Sequence, residues 1–558
     1  MAKLDRHKLS QLLKIILPFF QSEMKWRAFG MLLMLTVFSI SISFINVRLS
    51  YIGRDFMTAL SLRDSPEFFR QLYLYLIAFA LATPVVVFFR YTEERLALLW
   101  RKWMSRRMLQ RYFYKRSYYK INLYGNIDNP DQRIEEDVRS FTNTSLSFFL
   151  IIFNSMMNLF FFMGILWSIS INLSFAVVIY ALCGSIATYY LGRPLIGLNF
   201  TQLKKEADYR YKLVNIRDNA ESIAFLRDEK IEYTRTRQRL KYALDNLLKI
   251  INWNRNLLFF TTGYNFLVGI LPTIIVAPLY LDSKIEFGVV TQSGFAFAQV
   301  LGALSIIVLN FGSLSAYAAT ISRLGSFWDE LDNVQSDEVK YKSFIKYEEG
   351  EQVQFKHVTI MTPLRDQSLV KSLSFELDEG GLLITGPSGS GKSSILRALG
   401  GLWSAGTGII VRPELSQTMF LPQRPYMMLG SLRSQLLYGT HHHGVSDQQL
   451  IDILKKVGLS DTLRRIANLD AVMDWPNILS SGEQQRLGFA RLLLSQPKLA
   501  ILDEATTALD SGSEEHLYSM LGDVTKFHIS VGYRSTLSGF HKKILTLEQY
   551  EKWKIENA

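Results

Sequence analysis

The stretch ILSSGEQQRLGFARLLLSQPKLAILDEATTALD, residues 478–510, carries an apolar run, Leu499 to Leu502, that closes on two adjacent acids, Asp503 and Glu504. A short apolar run bounded by turn signals reads as a buried strand, which delivers the two carboxylates to its carboxyl end. There Asp503 would hold the shell of a Mg2+ ion, and Glu504 would orient and deprotonate an attacking water. Strands ending in two surface acids are common, so the pair gains meaning only with a partner.

The partner lies upstream in GLLITGPSGSGKSSILRALGGL, residues 381–402. The strand Leu382 to Thr385 runs into Gly386, Pro387, Ser388, Gly389, Ser390, Gly391, Lys392 and Ser393, with Ser394 next, which fits G-x-x-x-x-G-K-[ST] followed by a helix. Glycines let backbone N–H groups wrap phosphates, Lys392 adds a point charge, and Ser393 offers a hydroxyl to Mg2+ at a helix N-terminus. From about residue 335 onward, short β-branched runs alternate with turns and helical patterns, the layout of an α/β domain. The expected division is residues 1–335 and 336–558, joined by the charge-dense linker WDELDNVQSDEVKYKSFIKYEEGEQ.

The first part of the chain is of another kind. No charged residue occurs from Ala28 to Val47, Gln71 to Phe89, Ser140 to Gly192, Asn256 to Leu281 or Phe287 to Ser322. A bilayer core of roughly 30 Å takes about 20 helical residues, so four runs hold one span each and the third holds two, with a turn at SISINL. Six spans explain why 48% of the residues are hydrophobic and the mean hydropathy is positive. Lys and Arg crowd the segments after the second and fourth spans, whereas the link between the third and fourth has none, which places both termini in the cytoplasm. These segments account for much of the net charge of +12, so no nucleic-acid partner is read into it. Residues 1–20, interrupted by Asp5 and Lys14, fit an interfacial amphipathic helix. The single cysteine, Cys183, excludes an intrachain disulfide and is expected in the core.

The motifs now support a resemblance. LSSGEQQR resembles the L-S-G-G-Q signature of ABC transporters and runs into the acidic strand at the spacing of that family. Ser480 and Gly482 match signature positions, Ser481 replaces a glycine, and Glu483 stands where many members have Gln. Gln423 in LPQRPYMMLGSL matches the Q-loop, which shares the metal site, and Asp510 matches the D-loop. The phrases YGNIDNPDQRIEEDV and RDNAESIAFLRDEKIE are similar to those of subfamily D half-transporters of peroxisomes and lysosomes and of bacterial relatives with a BacA/SbmA-type membrane domain. In that family these segments lie in cytoplasmic loops that engage the nucleotide domain; Asn129 would cap a docking helix, with Pro130 at its first position and Gln132 completing a capping box.

The resemblance implies an exporter-type six-span α-helical domain fused to an α/β P-loop cassette. It implies ATP and Mg2+ as cofactors, Ser480, Gly482, Glu483 and Asp510 as nucleotide contacts supplied across a dimer of two identical chains, and the inner membrane of a bacterium as the location. The cargo would be a cobalamin-like, acyl-CoA-like or peptide molecule. One departure stands out. In SVGYRST, Tyr533 occupies the position of a histidine that contacts the γ-phosphate in such ATPases, and His541 is too far along to replace it. A phenol donates one hydrogen bond but cannot take up the positive charge open to an imidazole at neutral pH. Slow hydrolysis is therefore expected, and an ATP-binding gate or regulator without productive turnover is the alternative. Ser39, Ser43 and Asn46 with Arg48, and Gln299 with Asn310, mark either a substrate path or interhelical hydrogen bonds. The run THHHGVSD, residues 440–447, reads as a solvated loop.

Overall fold

A computed structural model describes residues 6–558 except 125, 126, 128, 307–309, 341–344, 364, 441–443, 467 and 549–551; the three histidines of THHHGVSD lie outside the described residues. By its contacts the chain divides into two units, one of residues 1–118 and 127–333, the other of residues 119–126 and 334–558.

The first unit is helical. Its elements are α1 (Arg6–Phe20), α2 (Lys25–Leu62) and α3 (Ser65–Phe113), then, beyond α4 (Ser117–Tyr124), α5 (Pro130–Ile169), α6 (Ile171–Asp218), α7 (Ala220–Leu226), α8 (Glu229–Leu281), α9 (Phe287–Leu304) and α10 (Phe311–Lys340). Six helices among the described residues, α2, the helix starting at Ser65, α5, α6, α8 and α9, are long and apolar enough to cross a membrane. The boundaries follow local chemistry. Arg63 adopts a left-handed conformation that stops α2, and Asp64 caps α3 by accepting from the Glu67 backbone N–H at 3.2 Å. Extended Ser170 separates α5 from α6 inside SISINL. In the last apolar run, read above as one span, α9 ends at Leu304 among the described residues, and α10 starts at Phe311 and carries into the expected linker as far as Lys340.

Side chains of α5, α6, α8 and α9 form a shared core around Phe162, Val177, Val276 and Phe297. Where helices touch most closely a glycine is required. A Cβ on Gly288 of α9 would stand 1.9 Å from the Arg54 carbonyl oxygen, and the Gly288 N–H donates to Thr58 Oγ1 at 3.2 Å. Polar positions of the first span serve the same packing: Ser39 hydrogen-bonds Asn154 of α5 and Ser43 is buried, whereas Asn310, in the last apolar run, bonds within its own turn to the Ile306 carbonyl at 2.9 Å. Helix α1 packs one face on its neighbours, with Phe19 buried against Trp100 at 5.3 Å and Lys14 paired with Asp329 at 2.6 Å. Two expectations are corrected. Cys183 is exposed, because it lies off the face of α6 that carries Val177 and Ala181. Asn129 makes no side-chain cap, being held left-handed at φ 43°, and Gln132 donates to Glu136 instead of completing a box. Arg133 and Asp137, in the π-turn that follows, are buried against α10 through the Arg323 carbonyl and side chain. The segment of this region that belongs to the second unit is residues 119–126, whose Leu123 packs on that unit's core.

The second unit holds two principal sheets among the described residues. A four-stranded one pairs β1 (Lys346–Glu349), β5 (Gly406–Arg412), β2 (Val353–Met361) and β3 (Ser368–Leu377) in that order. The central one runs β12 (Trp553–Asn557), β11 (Lys543–Leu547), β4 (Gly380–Thr385), β10 (Phe527–Val531), β9 (Leu499–Asp503) and β6 (Thr418–Leu421). Its four pairings from β11 to β6 are parallel, and β10 lies between β4 and β9 with Ile529 opposite both Leu382 and Ile501. Buried on both faces, such strands read as continuous apolar runs, which is why Leu499–Leu502 is legible. Helix α11 (Lys392–Leu399) covers one face; α12 (Asp447–Lys456), α13 (Ser481–Ser495) and α14 (Ser511–Ser519) belong to the other half of the core.

Between β10 and β11, His528 and His541 stand 5.0 Å apart and buried. His541 faces the Leu537 carbonyl at 2.6 Å, far from any role at the strand ends. Burial, aided by the neighbouring imidazole, lowers its pKa to about 4, and burial lowers that of His528. In the unfolded chain an imidazole takes a proton below 6.5, in the folded unit only near 4. The unfolded state therefore binds more protons in that window, and stability present above 6.5 is lost as the pH falls toward 4, by up to about 3 kcal/mol from His541. Thermal unfolding of the full chain across this window should show a falling midpoint that His541→Leu flattens; a slope unchanged by the substitution would contradict the assignment.

Candidate nucleotide site

The carboxyl ends of β4 and β9 bring the two motifs together. Gly386, Gly389 and Gly391 take φ values of 138°, 80° and 96°, the left-handed region that side chains avoid, and so turn the loop back on itself. At Gly386 a Cβ would also meet the Leu547 carbonyl oxygen at 2.5 Å. Inside the loop the Ser390 hydroxyl is buried without a hydrogen-bond partner, a donor set aside in a site otherwise made of backbone amides. Lys392, 6% exposed, folds its ammonium onto the Gly386 and Pro387 carbonyls at 2.8 and 2.7 Å. Ser388 lies within this loop, and Ser394 follows it on the first turn of α11.

Ser393 donates to Asp503 Oδ1 at 3.1 Å. Burial pushes the Asp503 carboxyl above its ordinary range, opposed by the Ser393 hydroxyl and by the cations of Arg397 and Lys392. Two hard oxygens at this spacing, one a carboxylate short of compensating charge, suit Mg2+. Glu504 follows with φ at 50°, unfavourable for a residue with a Cβ, and its N–H donates to the Val531 carbonyl at 3.2 Å. That twist turns the Glu504 carboxylate to Gln423, whose Nε2 donates to it at 2.9 Å. Tyr533, just beyond β10, is exposed and lays its ring over the Lys392 ammonium at 4.8 Å. Its neighbour Arg534 anchors the loop through Glu514 at 3.2 Å and the Leu509 carbonyl at 2.9 Å.

The signature residues form a separate group. Ser480 caps α13 in a full capping box, accepting from the Glu483 N–H at 3.2 Å while its own N–H donates to Glu483 Oε2 at 2.9 Å. Glu483 also accepts from Thr462 at 2.7 Å and pairs with Arg465. Burial alone would raise its pKa, but these bonds and the Arg465 charge outweigh it and hold the carboxyl below its usual range. The glutamate that departs from the usual glutamine thus fastens the helix N-terminus. A Cβ on Gly482 would approach the Ala508 carbonyl at 3.2 Å, so the glycine permits the close fit. Asp510 caps α14 through Ser513 at 2.9 Å. Among the described residues, Ser480, Gly482 and Glu483 make no hydrogen bond to the phosphate loop.

Family models match residues 12–281 as ABC transporter transmembrane region 2 and residues 370–507 as ABC transporter. An uncharacterized ABC transporter ATP-binding protein of Synechocystis is 42% identical over 96% of this chain and 82% of its own length. The chain belongs to the ABC transporter family. ABC transporter D family member 2, chloroplastic, of Arabidopsis thaliana is 40% identical over 98% of this chain and 88% of its own length, and the lysosomal cobalamin transporter ABCD4 of Homo sapiens is 29% identical over 99% and 97%. A bacterial Atm1-family ABC exporter with ATP bound shares the fold, with a TM-score of 0.72, 18% identity and 96% of both chains covered. This ABC protein is thus an integral membrane, exporter-type half-transporter of the subfamily D kind, and its cassette implies ATP binding with Mg2+ as the usual partner.

Sequence reasoning missed Gln485. Only 3% exposed, its amide nitrogen donates to the Gln423 carbonyl at 3.1 Å and to Thr507 Oγ1 at 3.2 Å, while its oxygen accepts from the Ala508 N–H at 3.0 Å. One side chain therefore fixes the Q-loop, α13 and the turn after Glu504. The only available signal was its place two residues after Glu483, on the buried side of the helix. Gln485→Leu removes the side-chain partner of the Gln423 carbonyl, the Thr507 hydroxyl and the Ala508 N–H, a loss of about 0.5–1.5 kcal/mol for each hydrogen bond. We expect kcat for ATP to fall at least about tenfold with KM within about threefold; a rise in KM alone would show that Gln485 serves nucleotide binding instead.

Proposed function

We propose that two copies of this chain form a homodimeric ATP-driven transporter in which Asp503 and Ser393 hold Mg2+ and Glu504 is the general base. The observation that carries this reading is the pairing of Ser393 with Asp503 and of Gln423 with Glu504 at adjacent strand ends. When bound, Mg2+-ATP supplies the phosphoanhydride bond whose hydrolysis drives the cycle. The backbone N–H groups from Ser388 to Ser393 and that of Gly386, with the Ser388 and Ser390 hydroxyls and Ser394 behind them, would cradle the phosphates. Lys392 exchanges its two carbonyl partners for phosphate charge. Gln423 completes the metal shell and orients Glu504, which takes the proton of the attacking water.

Ser480, Gly482 and Glu483, engaged only within their own helix start and its neighbours, contribute from the second copy together with Asp510. The dimer reading is tested by sedimentation equilibrium in detergent. We expect a particle of two 64.2 kDa chains, whereas a monomer with full ATPase activity would overturn it. Cationic loops and bacterial relatives support a bacterial inner membrane with a cytoplasmic cassette. The cargo is of the cobalamin-like, acyl-CoA-like or peptide class, the first of these being named for the human relative. ATPase stimulation in nanodiscs by one of these three, and by neither other, identifies the cargo; no stimulation by any removes all three classes.

Tyr533 supports slow turnover. Its ring, stacked on the Lys392 ammonium, offers cation–π attraction but none of the charge an imidazole brings to the γ-phosphate. Losing one preorganised contact of that kind costs on the order of 10²–10³ in rate. Tyr533→His should raise kcat at least about tenfold, and equal kcat in the two forms would show the histidine role to be dispensable here. The same tyrosine favours the second reading, a nucleotide-operated gate or regulator. Lys392→Ala should abolish tight ATP binding and Glu504→Gln should preserve it while removing turnover; wild-type hydrolysis no faster than that of Glu504→Gln would select the gate.

A further inference from the structure

A groove of about 700 Å3 runs between α6 and α8. One wall is Pro194, Gly197, Leu198 and Thr201, spaced three, four and seven residues apart on a single face of α6. Proline and glycine keep that wall low. The facing wall is Lys249, Asn252, Trp253 and Asn256, at the same spacing on α8, with Arg255 beside them. One face is thus small and apolar, the other cationic, aromatic and amide-bearing. No carboxylate lines the groove. Among the described residues Lys249 has no ion-pair partner, and Arg255 donates to the side-chain oxygen of Asn256 at 3.1 Å. The Trp253 indole donates to the Leu191 carbonyl at 2.6 Å, which fixes its ring beside the opening.

The position along the helices matters as much as the lining. The charge-free stretch of α6 ends at Gly192 and that of α8 begins at Asn256, so the groove lies where both helices leave the apolar layer. It lies on the side where both carry their Lys- and Arg-rich extensions. A tryptophan with cations at that depth is the arrangement that anchors protein to headgroups, and basic pockets between spans at this level suit anionic lipids.

We propose that this groove binds an anionic phospholipid of the leaflet on the side of the Lys- and Arg-rich extensions, with Lys249 and Arg255 on the headgroup phosphate and Trp253 and Leu198 against its glycerol and first methylenes. A zwitterionic lipid brings its own cation to the same two positive charges and is disfavoured. Two cations near an anionic surface, roughly fivefold each, give a selectivity of about tenfold or more.

The test uses the full chain in nanodiscs of phosphatidylcholine with a minor share of either brominated phosphatidylglycerol or brominated phosphatidylcholine. The Trp253 signal is the difference in fluorescence between wild type and Trp253→Phe. Brominated phosphatidylglycerol should quench it at about one-tenth the mole fraction that brominated phosphatidylcholine needs. Lys249→Gln with Arg255→Gln should erase the difference, and high salt should shrink it. Both positions are exposed, and the profile of the double variant on gel filtration checks that it folds. Equal quenching by the two lipids in wild type would overturn the proposal, leaving only a lipid-exposed face. Protection from both would overturn it in favour of cover by the second chain. Loss of selectivity on adding inorganic phosphate at constant ionic strength would assign the site to a free anion instead.

Discussion

The hydrogen bond from Ser393 to Asp503 joins the helix that follows the phosphate loop to the strand that carries the acids, and the rest of the site is arranged around it. Because β4 and β9 flank β10 in a parallel sheet, their carboxyl ends emerge at the same edge with only the end of β10 between them, and the loops after them meet there. The buried carboxylate is short of positive charge, which is a standing cost without a cation and a reason for affinity once one arrives. Glu504 extends the same logic. Its left-handed backbone costs on the order of 1 kcal/mol, and that strain aims a carboxylate at Gln423 instead of along the strand.

Around these two contacts the molecule spends its buried polar groups on holding loops still. Gln485 fixes the Q-loop and the turn after the acids; Arg534 and Glu514 fix the turn that bears Tyr533; Glu483 fixes the start of α13. Each lies between elements whose separation would change if nucleotide drew the loops together. The helical unit follows the opposite rule. Its helices meet through Gly288, the buried Ser39 and Ser43, and the Phe162 to Phe297 core, with few charges to reorganise, as befits packing where lipid offers no hydrophobic drive.

Much of this was legible in the amino-acid sequence because the signals are local. Charge-free runs of bilayer length found the apolar helices, and period-free apolar runs ending in glycine or acid found β4 and β9. The misses are tertiary. Cys183 sits in an apolar run, but only packing decides which face of α6 is inside, and it lies on the outer one. Asn129 has the composition of a cap, yet its left-handed backbone withdraws the side chain from the turn it would close, and Arg133 pulls that turn onto α10. The end of α9 at Leu304 is marked by no charge and no proline, so nothing in the run announces it. Gln485 looks like any polar helix residue until Gln423 and Ala508 are brought to it from 62 and 23 residues away. Tyr533 was conspicuous as a substitution, but its seat over Lys392 depends on β10 lying beside β4.

The central claim is that each ATP site is completed by a second copy, and complementation between two inactive chains tests it most directly. A chain with Lys392→Ala keeps an intact signature, and one with Gly482→Asp keeps an intact phosphate loop. If sites form between chains, dimers assembled from one of each contain one complete site, and ATP hydrolysis absent from either parent returns on mixing during assembly. If instead the mixture, with mixed dimers isolated by two affinity tags, remains as inactive as its parents, the sites are not shared between chains and the account fails.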